Sequence, residues 1–196
     1  MQNPPPFFFD LSVVPNAYID AKYATSDNFT TKKLPGYHTT KNLWLHNCAQ
    51  KKLILLAEIL EKQSLGLWVW DAYRPKRATD AMVEWARRTK QYYLVTEGYI
   101  AIRSRHNGGG AIDCSLYDLQ TKKLLDMGTE WDTFDSESHI QNAKGQAKEN
   151  RRLLHSYMNE FGWVSYEKEW WHFEMPDELS SRRFEFTMRL HIIRSP

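Results

Sequence analysis

The sequence has 196 residues and only two cysteines, Cys48 and Cys114. Two thiols are too few for a zinc site made of cysteines or for a framework of several disulfides. A single disulfide between them stays open, but their apolar sequence settings favour two buried thiols. A metal site in this chain would therefore draw on other side chains.

A long hydrophobic run is also missing. No apolar stretch approaches the roughly 20 residues needed to cross a bilayer. The start, MQNPPPFFFD, has neither the basic segment nor the apolar stretch of a signal peptide. We therefore expect no membrane span and a cytoplasmic location, with a periplasmic mature form cut from a longer precursor as the alternative.

The chain has no large excess of charge of one sign. Lysine and arginine number 26 against 24 acidic residues, which leaves a net charge of +2 spread along the sequence. A general binder of polyanions carries a concentrated basic surface. Nucleic acid is therefore not expected as a partner.

Apolar and aromatic residues are plentiful. Hydrophobic residues make up 42% of the chain, enough for one ordinary core. No repeat, low-complexity tract or linker divides the sequence, so we expect a single domain over residues 1–196. Of eight tryptophans, four adjoin residues that are considered below as candidates for a functional site, and these four are expected to wall a small, partly desolvated pocket: Trp70, Trp131, Trp170 and Trp171.

Hydrophobic periodicity predicts three helices among several short strands. Apolar residues recur at helical spacing over residues 45–60, 76–89 and 147–161. Short β-type runs cover residues 67–70 and 111–117, and two more extended pieces fall within residues 163–175. Weaker signals indicate a strand near residues 17–23, an extended segment at 98–103 and a hairpin return at 123–127.

The alternating strands favour an antiparallel sheet over a buried parallel one. The predicted fold class is therefore α+β, with a small, mostly antiparallel sheet and helices packed on one side.

Histidines and carboxylates stand at strand ends in a pattern that suits a metal ion. His106 and Asp113 flank the glycine run 108–110, which can bend tightly enough for both to meet one ion. His172 could add a second imidazole. Two histidines and one carboxylate leave a fourth position open, which is the ligand count of a catalytic zinc.

Glu169 would be placed to take a proton from a water molecule at such a site. Residues three apart on a strand point to opposite faces, so Glu169 and His172 can share a site only if the segment bends or bulges between them. Taken one at a time, these residue types more often have structural roles. Their combination points to catalysis.

The combined pattern Ser104-x-His106-x-x-Gly109-x-Ala111-x-Asp113 with Glu169-x-x-His172 resembles the signature of the zinc D-alanyl-D-alanine peptidases. This family holds VanX-type dipeptidases and VanY-type carboxypeptidases. Further stretches are similar to the dipeptidase branch in the same order: residues 20–30, 70–78, 127–135 and 150–152. The resemblance covers residues 17–187 of a single catalytic domain, with 1–16 and 188–196 peripheral.

The resemblance implies a metal site and the groups that do the chemistry. His106, Asp113 and His172 match the ligands of one zinc ion per chain, at the sheet centre. Glu169 matches the catalytic base. Arg74 matches the arginine that stabilises the oxyanion formed at the peptide carbonyl.

Three more residues match positions around the substrate, and a fourth supports Arg74. Asp132 matches an acid that holds the free ammonium group of the substrate, and Ser104 and Tyr23 match residues that line the pocket. Asp71 is expected to orient Arg74 rather than to touch the substrate.

The implied activity is hydrolysis of the dipeptide D-Ala-D-Ala by a water molecule that Glu169 activates, with a small peptide as partner and the oligomeric state open. The segment 91–97 is shorter than in the dipeptidases, which keeps a D,D- or L,D-carboxypeptidase that trims peptidoglycan stems as an alternative. A metal-free binding module is a third possibility, and the presence of all three ligands and the base argues against it.

Overall fold

The structure is a computed structural model that describes residues 6–175. Residues 1–5 and 176–196, which include the peripheral segment 188–196, lie outside the described part. The strands are β1 Phe8–Asp10, β2 Ala17–Ile19, β3 Trp44–His46, β4 Leu65–Asp71, β5 Ala111–Asp118, β6 Val164–Tyr166 and β7 Glu169–Glu174. The α-helices are α1 Gln50–Lys62, α2 Lys76–Arg88, α3 Tyr93–Thr96 and α4 Gly145–Glu160.

Five strands form the main sheet in the order β2-β4-β5-β7-β6. Only β2 and β4 pair in parallel, and the three other pairs are antiparallel. The predicted α+β class with a mostly antiparallel sheet is therefore confirmed. β5 and β7 occupy neighbouring positions near the middle of the sheet, and their register sets Asp113 opposite His172.

Alternation along β5 sorts its side chains onto two faces, both of which are buried. Cys114 lies beside Val69 of β4 on one face, and Asp113 points to the other. Helix α4 packs on the apolar face, where the His155 ring lies 4.9 Å from that of Phe173. The opposite face is thus left for polar groups.

Several local predictions are wrong because tertiary pairing overrides local pattern. The first helix begins at Gln50 rather than at residue 45, since Trp44–His46 pairs with Phe8–Asp10 as a second, two-stranded sheet. The strand near residue 17 ends at Ile19 and is followed by a 3₁₀ turn, Lys22–Ala24. Residues 98–103 form turns and bends, not a strand.

Two further expectations are met in part. The hairpin return after β5 consists of a single antiparallel bridge between Tyr117 and Leu124. Cys114 is buried as expected, but Cys48 is exposed, and no disulfide joins the two.

Within residues 6–175, no helix is both long and apolar enough to span a bilayer.

A buried arginine on α4 holds the loop that follows β5. Arg151 is 1% exposed, and its guanidinium donates to three backbone carbonyls, those of Met127 at 2.7 Å, His139 at 2.7 Å and Glu137 at 3.0 Å. This one side chain therefore ties both ends of the loop 127–139 to the helix. Asp132 lies within that loop.

We expect Arg151→Met to lower the free energy of unfolding by about 3 kcal/mol, because a buried carbonyl left without a donor costs about 1–3 kcal/mol. Urea denaturation followed by circular dichroism measures the loss. Arg152→Met is the matched control, since Arg152 is exposed beside Glu149 on the same helix and should change stability by less than about 1 kcal/mol. Equal stability of the two variants would contradict this role of Arg151.

Candidate metal centre

Three side chains converge on the polar face of the sheet. His106 comes from the 3₁₀ turn Arg105–Gly108 that precedes β5, Asp113 from β5 and His172 from β7. His106 Nε2 lies 3.2 Å from His172 Nδ1 and 3.2 Å from Asp113 Oδ1, and His172 Nδ1 lies 2.9 Å from Asp113 Oδ1. The three residues predicted as ligands thus present one atom each to a common point.

The spacing of these donor atoms fits a metal ion. Bonds of about 2.0–2.1 Å to nitrogen or oxygen place two ligands of a tetrahedral ion about 3.3 Å apart. The observed separations of 2.9 to 3.2 Å are close to that value. Three protein ligands leave the fourth position for water or substrate, which is the pattern of a catalytic centre.

Both imidazoles have partners that orient them. The second nitrogen of His106, Nδ1, lies 2.6 Å from the carbonyl oxygen of Ala72, and that of His172, Nε2, lies 3.1 Å from Glu174 Oε1. A proton on each of these nitrogens leaves the facing nitrogen free to bind a metal. The sequence interpretation missed Glu174, although its position two residues after His172 on one strand was the available signal.

Two irregularities in the sheet bring acids to this centre. Val69 pairs with Cys114 and Asp71 with Asp113, so that Trp70 is an extra residue on β4. Ser165 of β6 pairs with Phe173 of β7, but the next residue, Tyr166, pairs with Glu169, so that residues 170–172 form a bulge on β7. These bulges set Asp71 opposite Asp113 and turn Glu169 toward His172, with 4.0 Å between Glu169 Oε2 and His172 Nδ1.

The two central ligands influence each other's ionisation. Burial opposes the charge on Asp113, but the charges and hydrogen bonds of His106 and His172 hold its pKa well below the usual range. Burial likewise opposes the charge on His172, but the hydrogen bonds to Asp113 and Glu174 raise its pKa to about 10. Metal binding at His172 Nδ1 must therefore release a proton.

Glu169 sits in an environment that disfavours its charge. Burial raises its pKa to about 8; the attraction of His172 opposes this rise, and the weaker repulsion of Asp113 adds to it. A cation bound beside this carboxylate reverses the local balance and favours the ionised form. Glu169 is thus poised to exchange a proton close to neutral pH.

Arg74 lies between Asp71 and the candidate ligand Asp113. Its Nε donates to Asp71 Oδ2 at 2.8 Å, and its Nη2 lies 3.8 Å from Asp113 Oδ2. Tyr37 Oη donates to the other oxygen of Asp71 at 2.6 Å. Burial opposes the charge on Arg74, but the negative charge of Asp71 keeps its pKa well above the usual range.

A cavity of about 220 Å³ opens over the centre. Its lining includes the three predicted ligands. The other site residues predicted from the sequence also line it: Tyr23, Arg74, Ser104, Asp132 and Glu169. Asp71 is the exception. Asp71 lies behind Arg74, fully buried. Its contacts are with protein groups rather than with the cavity.

Asp132 and Tyr23 form a pair on the cavity wall. Tyr23 Oη donates to Asp132 Oδ2 at 2.7 Å. Burial raises the pKa of Asp132 well above its usual range, and the charge of Asp113 raises it further. Asp132 has φ +59°, a left-handed conformation that aspartate tolerates better than most residues.

The tryptophans do not wall this cavity as predicted. Of the four tryptophans that were expected to do so, only Trp171 lines it. Trp70, Trp131 and Trp170 line a second cavity of about 380 Å³ instead. The bulge at Trp70 and the pairing of Trp170 with the loop residue Thr129, at 2.8 Å, direct these rings away from the metal ligands.

Comparison with known sequences agrees with this geometry. The model of the peptidase M15 family, described as D-ala-D-ala dipeptidase, matches residues 6–189. This chain belongs to the D-Ala-D-Ala dipeptidase family. The resemblance seen in the sequence motifs is thereby confirmed, and the chain is a metallopeptidase.

Relatives of this M15 peptidase match over most of their length. A D-alanyl-D-alanine dipeptidase of Enterococcus faecium is 38% identical over 199 residues, covering 93% of this chain and 98% of the relative. One of Enterococcus faecalis is 40% identical, covering 81% and 86%. One of Escherichia coli is 36% identical, covering 87% and 86%.

Proposed function

We propose that this M15 peptidase is a zinc enzyme that hydrolyses the dipeptide D-Ala-D-Ala to D-alanine. The observation that carries the proposal is the convergence of His106, Asp113 and His172 within a cavity that also holds Glu169 and Arg74. Membership of the family supports the choice of substrate. Release of D-alanine from D-Ala-D-Ala by the zinc-loaded protein tests it directly.

The donor set supports zinc as the metal. Two imidazoles and one carboxylate with an open fourth position match catalytic zinc sites. When bound, the ion supplies Lewis acidity, which makes water a stronger acid and polarises a carbonyl group. Within the described residues, His106, Asp113 and His172 would hold it.

The chain's own groups complete the reaction. Glu169 takes a proton from the attacking water and delivers it to the leaving amine, since its carboxylate lies beside the ligand atoms. Arg74 stabilises the negative charge that develops on the carbonyl oxygen. Asp71, anchored by Tyr37, fixes the orientation of that guanidinium.

Asp132 provides the basis for recognition of a free N-terminus. Its buried carboxylate is already paired with a hydroxyl, and an incoming ammonium group supplies the opposite charge that favours ionisation. The cavity of about 220 Å³ is smaller than the roughly 300–1,000 Å³ of pockets for drug-sized ligands. Both features suit a dipeptide better than a stem peptide.

We expect N-acetyl-D-Ala-D-Ala to be hydrolysed at a negligible rate, because acetylation removes the ammonium group that Asp132 pairs with. Asp132→Asn should raise KM for D-Ala-D-Ala about 10- to 100-fold, since a hydrogen bond to a charged group contributes about 1.5–3 kcal/mol. Asparagine tolerates the left-handed backbone at this position. Steady-state release of D-alanine measures both effects.

Fast turnover of the acetylated peptide would favour the carboxypeptidase alternative. Asp135→Asn is the matched control, because Asp135 is an exposed acid in the same loop. It should leave KM unchanged.

We further propose that residues 1–196 form one catalytic domain and that removal of D-Ala-D-Ala serves peptidoglycan metabolism, either in glycopeptide resistance or in nutrient salvage.

A further inference from the structure

One ion pair, Arg105 with Glu174, lies beside the candidate metal centre and lines the same cavity. Glu174 ends β7 and uses both carboxylate oxygens: Oε1 lies 3.1 Å from His172 Nε2, and Oε2 lies 3.0 Å from Arg105 Nε. Arg105 immediately precedes His106 in the 3₁₀ turn. The carboxylate therefore bridges the two segments that carry the histidines.

The strand register fixes Glu174 in this place. Ala111 of β5 pairs with Glu174, and the backbone N–H of Met175 donates to the Gly110 carbonyl at 2.7 Å. Since residues two apart on a strand share a face, Glu174 falls on the side of His172. The carboxylate thus reaches the outer nitrogen of the ring while Nδ1 faces the other ligands.

We propose that Glu174 is a positioning residue for the metal centre: it fixes the His172 ring with Nδ1 toward the metal, and Arg105 holds its carboxylate in that role. A carboxylate that accepts from the outer nitrogen of a ligating histidine sets the tautomer and strengthens the ligand. The proposal rests on the proposed function only in taking the ion to be zinc.

Zinc affinity is the decisive measurement, because it does not depend on turnover. Loss of such an outer partner weakens metal binding about 10- to 100-fold. We expect the zinc affinity of Glu174→Ala to fall by a factor in this range. Glu174→Gln should lose less affinity, because its amide oxygen still accepts from Nε2 of His172. Arg105→Met should lose less affinity than Glu174→Gln. Competition with a chromophoric chelator gives the dissociation constants.

A second readout reports ligand geometry. The visible absorption bands of the cobalt-substituted protein should change in Glu174→Ala and stay near those of the wild type in Glu174→Gln. Glu149→Gln is the control, since it breaks an exposed ion pair of the same 3.0 Å length on α4. It should bind zinc as the wild type does.

The proposal is overturned if both Glu174 variants bind zinc as tightly as Glu149→Gln. Circular dichroism checks folding, and if Glu174→Ala does not fold, Glu174→Gln and Arg105→Met decide, with wild-type affinity in both counting against the role. The proposed function fails in a different way, when the zinc-loaded wild type does not cleave D-Ala-D-Ala. The ranking of zinc affinities stands or falls independently of that result.

Discussion

Replacing Glu169 with glutamine should lower kcat for D-Ala-D-Ala by about 10²- to 10⁴-fold, the range that a positioned general base contributes. Glutamine preserves the volume and one acceptor oxygen of the buried side chain but takes up no proton. Zinc content should stay at the wild-type level, because Glu169 stands outside the three donors. Release of D-alanine and elemental analysis of the same sample measure both quantities.

The stability of the zinc-free variant gives an independent check. Burial raises the pKa of Glu169 to about 8, so at pH 7 the carboxyl binds a proton in the folded protein and is ionised in the unfolded chain. Because the unfolded chain loses this proton near pH 4.5 and the folded protein only near pH 8, the fold loses stability as the pH rises between these two values. Glu169→Gln should therefore be about as stable as the wild type at pH 4 and more stable at pH 7, by an amount that no longer grows above pH 8.

Glu167→Gln is the matched control, since Glu167 is exposed two residues earlier. It should leave kcat, zinc content and stability unchanged. A Glu169→Gln protein that keeps more than about a tenth of the wild-type kcat would remove Glu169 from the role of base. One that loses its zinc would make Glu169 a ligand instead.

Arg74→Met should show two large losses. We expect kcat to fall about 10²- to 10³-fold, because one donor to a developing oxyanion contributes that much. The free energy of unfolding should fall by about 3–5 kcal/mol, since Asp71 loses the partner of a buried ion pair and Asp113 loses a nearby cation. Steady-state kinetics and urea denaturation measure the two effects.

Arg74→Lys separates these effects. Lysine keeps the positive charge between Asp71 and Asp113 but not the planar fork that bonds Asp71 and reaches the cavity. Stability should recover in large part, while kcat stays low. Lys76→Met, in an exposed pair with Asp80, is the control for loss of a cation. Wild-type kcat in either Arg74 variant would rule out oxyanion stabilisation by this residue.

The candidate metal ligands could be predicted from sequence because their chemistry is carried by residue type and spacing. His106 and Asp113 flank a glycine run, and His172 lies in a second motif. These side chains can be recognised as a set of metal-binding donors without knowledge of how the chain folds between the motifs. The alternation of β5 likewise follows from local pattern, since neighbouring residues on any strand face opposite ways. The roles of Glu169, Arg74 and Asp132 came from resemblance and stay predictions until tested.

Other features depend on contacts between distant segments. The spacing of apolar residues predicts a helix from residue 45, but residues 45 and 46 belong to the strand Trp44–His46 because Phe8–Asp10 pairs with it. Tyr37 lies in an irregular segment and donates a hydrogen bond to Asp71, 34 residues away along the chain. No periodic pattern in the sequence predicts that hydrogen bond. Register, which local sequence does not specify, decides such pairings.

The sequence by itself determined the α+β class, the donor set of the candidate metal centre and the family. Only the tertiary structure decided how these groups meet. The bulges at Trp70 and at residues 170–172 bring Asp71 and Glu169 to the ligands, and the pairing of Ala111 with Glu174 gives His172 its outer partner. The physical reason is that side-chain identity is local, whereas the offset between two strands is fixed by the packing of the whole sheet.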